Sequence, residues 1–263
     1  MIAIIAACSG LLVYIFLLGA AYAGLGKIKR KTASEPLRKN LFISVIVCAR
    51  NEEKNIGVCL ESLFNQDYGI ENYEVIVVDD CSEDSTPEIV EKSKSLSETA
   101  LKKVMTPENC PWKSRKKFAL NTGIKAAQGE ILAFTDADAL VESGWLSSIA
   151  SEYLSGTNIN AVSGLTVLKE RAEKGLAGKI LSLEFIGLGL IGGGLISSGI
   201  PVLANGNNFS YRKEIFNKSG GFSGIENITS GDDDLLLQKF SKDPGFTAAF
   251  NCDKKGVVFT NGP

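Results

Sequence analysis

Asp136 and Asp138, separated by a single alanine, follow the apolar run Ile131 to Thr135. Hard divalent cations such as Mg2+ or Mn2+ take oxygen ligands, usually one or two protein carboxylates completed by substrate phosphates. Where the chain is still extended, alternate side chains point the same way, so both carboxylates can reach one ligand. Alone, such a pair reads as a solvated acidic turn. It reads differently here because Asp79-Asp80 closes a second apolar run, and Lys116 opens the segment leading into the first. A lysine at that place can offset phosphate charge. Further on, Asp232, Asp233 and Asp234 are adjacent. Neighbouring carboxylates raise one another's pKa, which suits a group that must accept a proton. The same acids also suit a helix amino terminus, where they favour the dipole.

The elements that must hold these groups are visible in the hydrophobic pattern. Leu41 to Cys48 is apolar and β-branched, a buried-strand pattern, and Asn51-Glu52-Glu53 supplies a cap and an acidic first turn for a helix. Ile56, Cys59, Leu60, Leu63 and Phe64 then recur on one helix face. Tyr73 to Val78 reads as a second strand, and Thr86-Pro87 starts a second helix with proline at its first position. Lys116 to Ala127 is helical, Gly129 stops it, and Ile131 to Thr135 is a further strand. This alternation predicts an α/β fold with a mostly parallel sheet covered by helices on both faces. Ligands of such sheets bind beyond the carboxyl ends of the strands, so the two acidic clusters are expected to share one crevice.

Composition narrows the chemistry. The 263 residues carry 28 Lys and Arg against 30 Asp and Glu, a formal net charge of −2. That balance lacks the basic face of a nucleic-acid binder, so no nucleic-acid partner is expected. With 44% hydrophobic and 22% charged residues the chain is globular rather than disordered. There is no histidine, which removes His-based zinc sites and Ser-His-Asp triads and leaves acid-base work to carboxylates, Lys, Tyr or Cys. Cys8, Cys48, Cys59, Cys81, Cys110 and Cys252 include no CxxC pair, and they read as reduced, mostly buried thiols.

Ile2 to Gly26 carries no charge. As a helix it reaches about 38 Å, more than a hydrocarbon core of about 30 Å. Ala21-Tyr22-Ala23 has the form of a signal cleavage site, but no basic segment precedes the run, which is also longer than an ordinary signal core. Residues 1–26 are therefore expected to be a retained single-pass transmembrane anchor, 27–40 a basic juxtamembrane linker, and 41–263 the folded domain. Lys27, Lys29, Arg30, Lys31, Arg38 and Lys39 put that domain on the cytoplasmic side by the positive-inside rule. A second Gly- and Leu-rich stretch, 176–200, has only Lys179 and Glu184 as charges. It reads equally as a core segment or as a membrane-interface segment feeding a lipid or polymer acceptor to the site. Its Gly187, Gly189 and Gly192 have the spacing of a dinucleotide-binding turn. That signal is weak, because the first acid after Glu184 is Glu214, which ends no predicted strand.

Five ordered blocks carry a family resemblance: Ser44-Val45-Ile46-Val47-Cys48-Ala49-Arg50-Asn51-Glu52-Glu53; Val77-Val78-Asp79-Asp80-Cys81-Ser82 with Asp84-Ser85-Thr86; Lys116 with Ala119-Leu120-Asn121-Thr122-Gly123; Gly129-Glu130 with Asp136-Ala137-Asp138; and Gly231-Asp232-Asp233-Asp234-Leu235. Together they resemble family 2 glycosyltransferases of the Rossmann-like GT-A fold. The resemblance implies a nucleotide-diphosphate sugar as donor, a UDP-sugar in the first instance, with Mg2+ or Mn2+ as cofactor. It implies that Ala49 and Glu52 line the nucleotide pocket, that Asp80 contacts the base and that Asp136 lies near the ribose or sugar. Lys116 would sit on the donor side, and Asp138 would hold the metal. Asp232 matches the catalytic aspartate of the family's Glu-Asp pair. Gly231 stands where that glutamate is usual, so a shifted alignment would give the role to Asp233. The loop Ala204-Asn205-Gly206-Asn207-Asn208-Phe209 resembles the family's acceptor side, where Gly206, Asn207 and Asn208 would meet sugar hydroxyls, although the same residues make ordinary turns. Trp145 either stacks on a sugar or packs in the core. The Gln-x-x-Arg-Trp block of processive members is missing, which implies a non-processive enzyme or a truncated chain. The expected function is an inverting, membrane-anchored glycosyltransferase acting on a lipid-linked or cell-surface glycan. The alternatives are a non-catalytic nucleotide-sugar-binding or assembly subunit of a membrane glycan synthase and, more weakly, a dinucleotide-dependent oxidoreductase.

Overall fold

A computed structural model describes residues 2–28, 41–155, 158–169 and 175–260, with side chains from residue 9 onward. The linker expected over 27–40 falls, from residue 29, outside the described residues. In chain order the elements are α1 (Ile2–Lys27), β1 (Ile43–Ala49), α2 (Ile56–Phe64), β2 (Tyr73–Asp79), α3 (Thr86–Leu96), β3 (Ala100–Met105), α4 (Arg115–Ala126), β4 (Ile131–Asp136), β5 (Leu140–Val141), α5 (Trp145–Tyr153), β6 (Ala161–Gly164), β7 (Thr166–Leu168), α6 (Gly175–Ser197), β8 (Phe209–Arg212), α7 (Lys213–Lys218), α8 (Asp234–Phe240), β9 (Ala248–Asn251) and β10 (Val258–Thr260).

The main sheet has the order β3-β2-β1-β4-β8-β6-β9, and β5, β10 and β7 form a second, small sheet. β1 is parallel to β2 and β4, β2 is parallel to β3, and β8 lies antiparallel between β4 and β6. Alternation along β1 feeds two cores. Ile43, Val45 and Val47 pack with Ile56, Leu60, Leu63 and Trp145 on one face, while Ile46 packs with Ile76, Leu120, Ile124 and Tyr211 on the other. Strands covered on both faces read as continuous apolar runs, which is how β1, β2 and β4 were recognisable. Each runs one residue further than its apolar pattern. Ala49 pairs with Asp79, and Cys48 pairs with Asp136, so the three carboxyl ends finish level.

Several expectations are corrected. Asn51 caps no helix: it adopts φ 56°, and α2 begins at Ile56. The Asn51 amide instead donates to Ser82 Oγ, its Oδ1 accepts from the Glu83 amide, and the Glu52 amide donates to Thr86 Oγ1. Segment 51–53 is thus laced to segment 82–86 across the top of the sheet. Trp145 is fully buried and donates through Nε1 to Asn208 Oδ1 at 3.0 Å, so it belongs to the core. None of the five cysteines with described side chains is in a disulfide, but only Cys59 is buried and Cys252 is exposed. Stretch 176–200 is core only in part: Gly192 to Ile196 are buried, whereas Leu176, Ile180, Leu183 and Leu188 are exposed. Gly187, Gly189 and Gly192 lie inside continuous α6 rather than at a strand-to-helix turn, which removes the dinucleotide reading.

Glu74 illustrates what holds the sheet at its lower edge. It is 1% exposed; its carboxylate accepts from Ser44 Oγ and the Gln128 amide, each at 2.7 Å, and pairs with Lys102 at 2.6 Å. Burial works to raise its pKa, but these partners, Lys102 first, outweigh it and hold the value below the ordinary one. A depressed native pKa stabilises the fold above the unfolded value of about 4.3 and loses that contribution as pH falls through the native value. Glu74→Gln is therefore expected to cost about 1–3 kcal/mol at neutral pH. The gap from wild type should close as thermal melts are repeated toward about pH 3.

Candidate active site

The level ends of β1, β2 and β4 open into a crevice of about 640 Å³. Ala49, Glu52, Asp80, Lys116, Asp136, Asp138 and Asn207 all line it. Asp79, the other member of the first acidic pair, does not: it is fully buried and accepts from the Ser82 amide, shaping the turn that carries Asp80. A narrower pocket adjoins the crevice and is lined by Gly206, Asp232 and Asp233, sharing Cys48, Lys116 and Asp136 with it.

Lys116 is the hinge between the two spaces. Its Nζ lies 3.4 Å from Asp136 Oδ1 and 3.6 Å from Asp232 Oδ2. Burial opposes its charge, yet Asp136 and Asp232 carry its pKa above the ordinary lysine value, so it remains a cation at neutral pH. This lysine belongs to the first turn of α4, which Ser114 caps by accepting from the Lys117 amide.

Asp80 is already held before any ligand arrives. Arg115 grips it in bidentate fashion, Nε to Oδ2 at 3.1 Å and Nη2 to Oδ1 at 2.6 Å, and Thr106 Oγ1 donates to Oδ1 at 2.5 Å. Donating to Asp80 raises the pKa of Arg115 further. Asp138 has one oxygen occupied, Oδ2 accepting from Thr260 Oγ1 at 2.7 Å. Asn207 Oδ1 accepts from Thr135 Oγ1 and from the Asp136 amide, so it fixes the turn on which both carboxylates ride.

The three adjacent aspartates have separate tasks. Asp233 accepts from the Gly206 amide at 2.6 Å and from the Asp234 amide at 2.8 Å; Asp234 accepts from the Ala204 amide at 2.7 Å. Both are committed to holding the 204–206 backbone. Burial first, and then Asp232 and Asp234, raise the pKa of Asp233, so desolvation rather than crowding is the larger cause. Asp232 makes its ion pair with Lys116 and faces the pocket. Gly231 has φ 68°, a left-handed conformation that a glutamate would adopt only under strain. Asn208 lines neither space: its amide donates to the Leu165 and Gly256 carbonyls, and its oxygen accepts from Trp145, an internal brace.

Arg115, Thr106, Thr260, Phe185 and Lys117 were not singled out from the sequence. Thr106 and Thr260 stand at the ends of β3 and β10, which the hydrophobic pattern does not reveal. Fully buried Lys117 donates to the carbonyls of Ile228 at 2.5 Å and Ser230 at 2.8 Å, tethering the loop that precedes Asp232. Burial lowers its pKa. Lys117→Met is expected to lower stability by about 1–3 kcal/mol, since two buried carbonyls lose their donor. Limited proteolysis should then cut sooner within 222–231 than in wild type.

The donor set suits a hard cation. Asp136 and Asp138 line the crevice, and among the described residues no group of three or more His, Cys, Asp or Glu is spaced to hold an ion by itself. Such an ion would complete its shell with substrate oxygens, the usual habit of Mg2+.

Comparison with known proteins agrees with this architecture. The family model described as glycosyl transferase family 2 matches residues 44–220. A dolichyl N-acetyl-alpha-D-glucosaminyl phosphate 3-beta-D-2,3-diacetamido-2,3-dideoxy-beta-D-glucuronosyltransferase of Methanococcus voltae is 37% identical over 112 residues, 43% of this chain and 34% of that protein. Glycosyltransferase AglE of Haloferax volcanii is 35% identical over 123 residues, 47% of this chain and 38% of the relative. The chain thus matches little more than a third of the length of these relatives. Among solved structures, the Pyrobaculum calidifontis mannosyltransferase in complex with GDP-Man and Mn2+ superposes with a TM-score of 0.70 at 23% identity, covering 96% of this chain and 68% of that one. The 1–349 fragment of Staphylococcus aureus TarS with UDP-GlcNAc gives 0.60 at 22% identity, over 85% and 59% of the two chains. At such identities the likeness is one of fold.

Proposed function

Since the chain belongs to glycosyl transferase family 2, we propose that it moves a sugar, with inversion, from a nucleotide-diphosphate donor to a hydroxyl of a lipid-linked or cell-surface glycan. One observation carries the reading: Asp80, Asp136, Asp138 and Lys116 converge at the level ends of three strands, with Asp232 3.6 Å from that lysine. On this reading residues 41–263 are the catalytic domain and α1 anchors it to a membrane, with the basic residues after Gly26 keeping it on the cytoplasmic side.

Asp80, pre-oriented by Arg115, receives the base, taken as uracil, while Ala49 and Glu52 wall the nucleotide. Asp136 orients the ribose or sugar. Asp138, with Asp136 beside it, would hold Mg2+ or Mn2+, which when bound neutralises charge on the departing diphosphate. The Lys116 ammonium adds a fixed positive charge at the same place. Asp232 takes the proton of the acceptor hydroxyl as that oxygen bonds to the anomeric carbon; the bond from this carbon to the diphosphate oxygen breaks, and its electron pair leaves with the diphosphate. Asp233 and Gly206 hold the acceptor side in shape, and Asn207 keeps it in register with the Asp136 turn. The neighbours' complexes with GDP-Man and with UDP-GlcNAc support a nucleotide sugar in the crevice and leave the choice of base to experiment.

Product analysis with the purified chain, membranes and a panel of UDP- and GDP-sugars tests the reading. A labelled lipid-extractable product from a UDP-sugar is the expected result. Glycosylation of soluble acceptors alone would overturn the lipid assignment, and no product from any donor would overturn the transferase assignment.

A further inference from the structure

Lys116 is shared by two carboxylates and fully engaged by neither. Its Nζ donates to Asp136 Oδ1 at 3.4 Å and lies 3.6 Å from Asp232 Oδ2, whereas a close hydrogen bond between an ammonium and a carboxylate spans about 2.7–2.9 Å. A lysine carries three N–H donors on a flexible four-carbon stem, so donor capacity is left over. Its side chain is 46% exposed and lines the wide crevice as well as the narrow pocket. A polyanion entering the crevice therefore meets this ammonium directly. In the narrow pocket, among the described residues that line it, no other side chain is cationic.

Asp232 is more dependent on the pair than Lys116 is. Its side chain is 16% exposed, and Lys116 is its ion-pair partner. The neighbouring carboxylates are provided for elsewhere: Asp233 accepts from the Gly206 and Asp234 amides, and Asp234 accepts from the Ala204 amide. A carboxylate this far from water is costly without a compensating charge or donor. Anything that draws Lys116 toward the crevice leaves Asp232 short of a partner, and the O–H of an acceptor is a group able to replace it. Conversely, as long as no such hydroxyl has arrived, Asp232 holds the lysine back from the crevice.

We propose that Lys116 couples the two halves of the site: before the donor binds, Asp232 retains the ammonium, and the donor's diphosphate wins it from Asp232, freeing Asp232 Oδ2 to receive the acceptor hydroxyl. Two consequences follow from this exchange. The base is uncovered only once the donor is in place, and donor and acceptor favour each other's binding by the same factor. Asp232 thereby sets donor affinity without touching the donor. The inference rests on the nucleotide-sugar reading above, but the coupling is measurable from binding alone.

The test is a double-mutant cycle on nucleotide affinity, read by calorimetry with the full chain in detergent and Mg2+, using UDP, GDP and, as a ligand without phosphate, uridine. Asp232→Asn removes the competitor for Lys116 and is expected to tighten UDP by about 5-fold or more, the lower end of ordinary coupling between sites. Lys116→Met is expected to weaken UDP, and on that background most of the gain from Asp232→Asn should vanish. Uridine should bind all four forms alike. An equal gain from Asp232→Asn on both backgrounds would mean that the aspartate merely repels the diphosphate through space, and would overturn the proposal; so would the absence of a gain beside an intact Lys116. Thermal melts report whether each form is folded, and Lys116→Gln completes the same cycle if Lys116→Met is not. Failure of the wild type to bind either nucleoside diphosphate would refute the proposed function itself, whereas binding without an interaction between the two variants would refute the coupling and leave that function standing.

Discussion

Asp232→Asn is expected to lower glycosyl transfer by about 10²–10⁴-fold, the range that a positioned general base contributes, while nucleotide binding persists. Asparagine keeps the size of the side chain and removes the proton acceptor. The choice of Asp232 over its neighbours follows from what each carboxylate already does: Asp233 and Asp234 accept backbone amides of the 204–206 loop and of Asp234 itself, whereas Asp232 meets the Lys116 ammonium at the pocket. Asp233→Asn makes the comparison decisive. It retains one acceptor oxygen where two amides need one each, so its main effect should be a lower melting temperature. Should Asp233→Asn abolish transfer with an unchanged melt, while Asp232→Asn turns over normally, the base has been assigned to the wrong residue.

Asp138→Ala is expected to cost about 10²–10³-fold in transfer, the range found when one preorganised charge-stabilising group is removed. Its neighbourhood argues that the loss would be chemical rather than structural. Asp138 lines the crevice and its side chain accepts from Thr260 at the rim, so truncation leaves no core void. Binding of a nucleoside diphosphate provides a readout independent of turnover. In wild type, Mn2+ or Mg2+ should tighten that binding and EDTA should reverse the effect. In Asp138→Ala the affinity should be the same with and without the ion. A variant whose nucleotide affinity still rises with Mn2+ as in wild type would exclude Asp138 as the metal's residue.

β1, β2 and β4 were legible because strands sandwiched between helices need apolar residues on both faces. β3 was not: Ala100 to Met105 includes Lys102 and Lys103, since it is an edge strand in which only Leu101 is buried. Asn51 reads as a cap by type, yet its side chain is claimed by Glu83, more than thirty positions away, and the helix waits until Ile56. Lys117 reads as a surface lysine next to Lys116 and is buried, one residue's rotation along α4 separating a loop tether from a cation lining the crevice.

Residue type and short-range periodicity were enough to establish the α/β architecture, the apolar α1 and the strand ends on which Asp80, Asp136 and Asp138 sit, because those properties depend on neighbours within a few positions. Which of three adjacent aspartates stays unclaimed, that Asn208 braces the core, and that α6 lies against α1 were settled by tertiary contacts. Each of these depends on groups twenty-seven or more residues apart, such as Asp233 with the Gly206 amide across twenty-seven positions and Ser198 with Ala20 across one hundred and seventy-eight. A local pattern carries no record of which distant backbone amide or carbonyl will need a partner once the chain is compact.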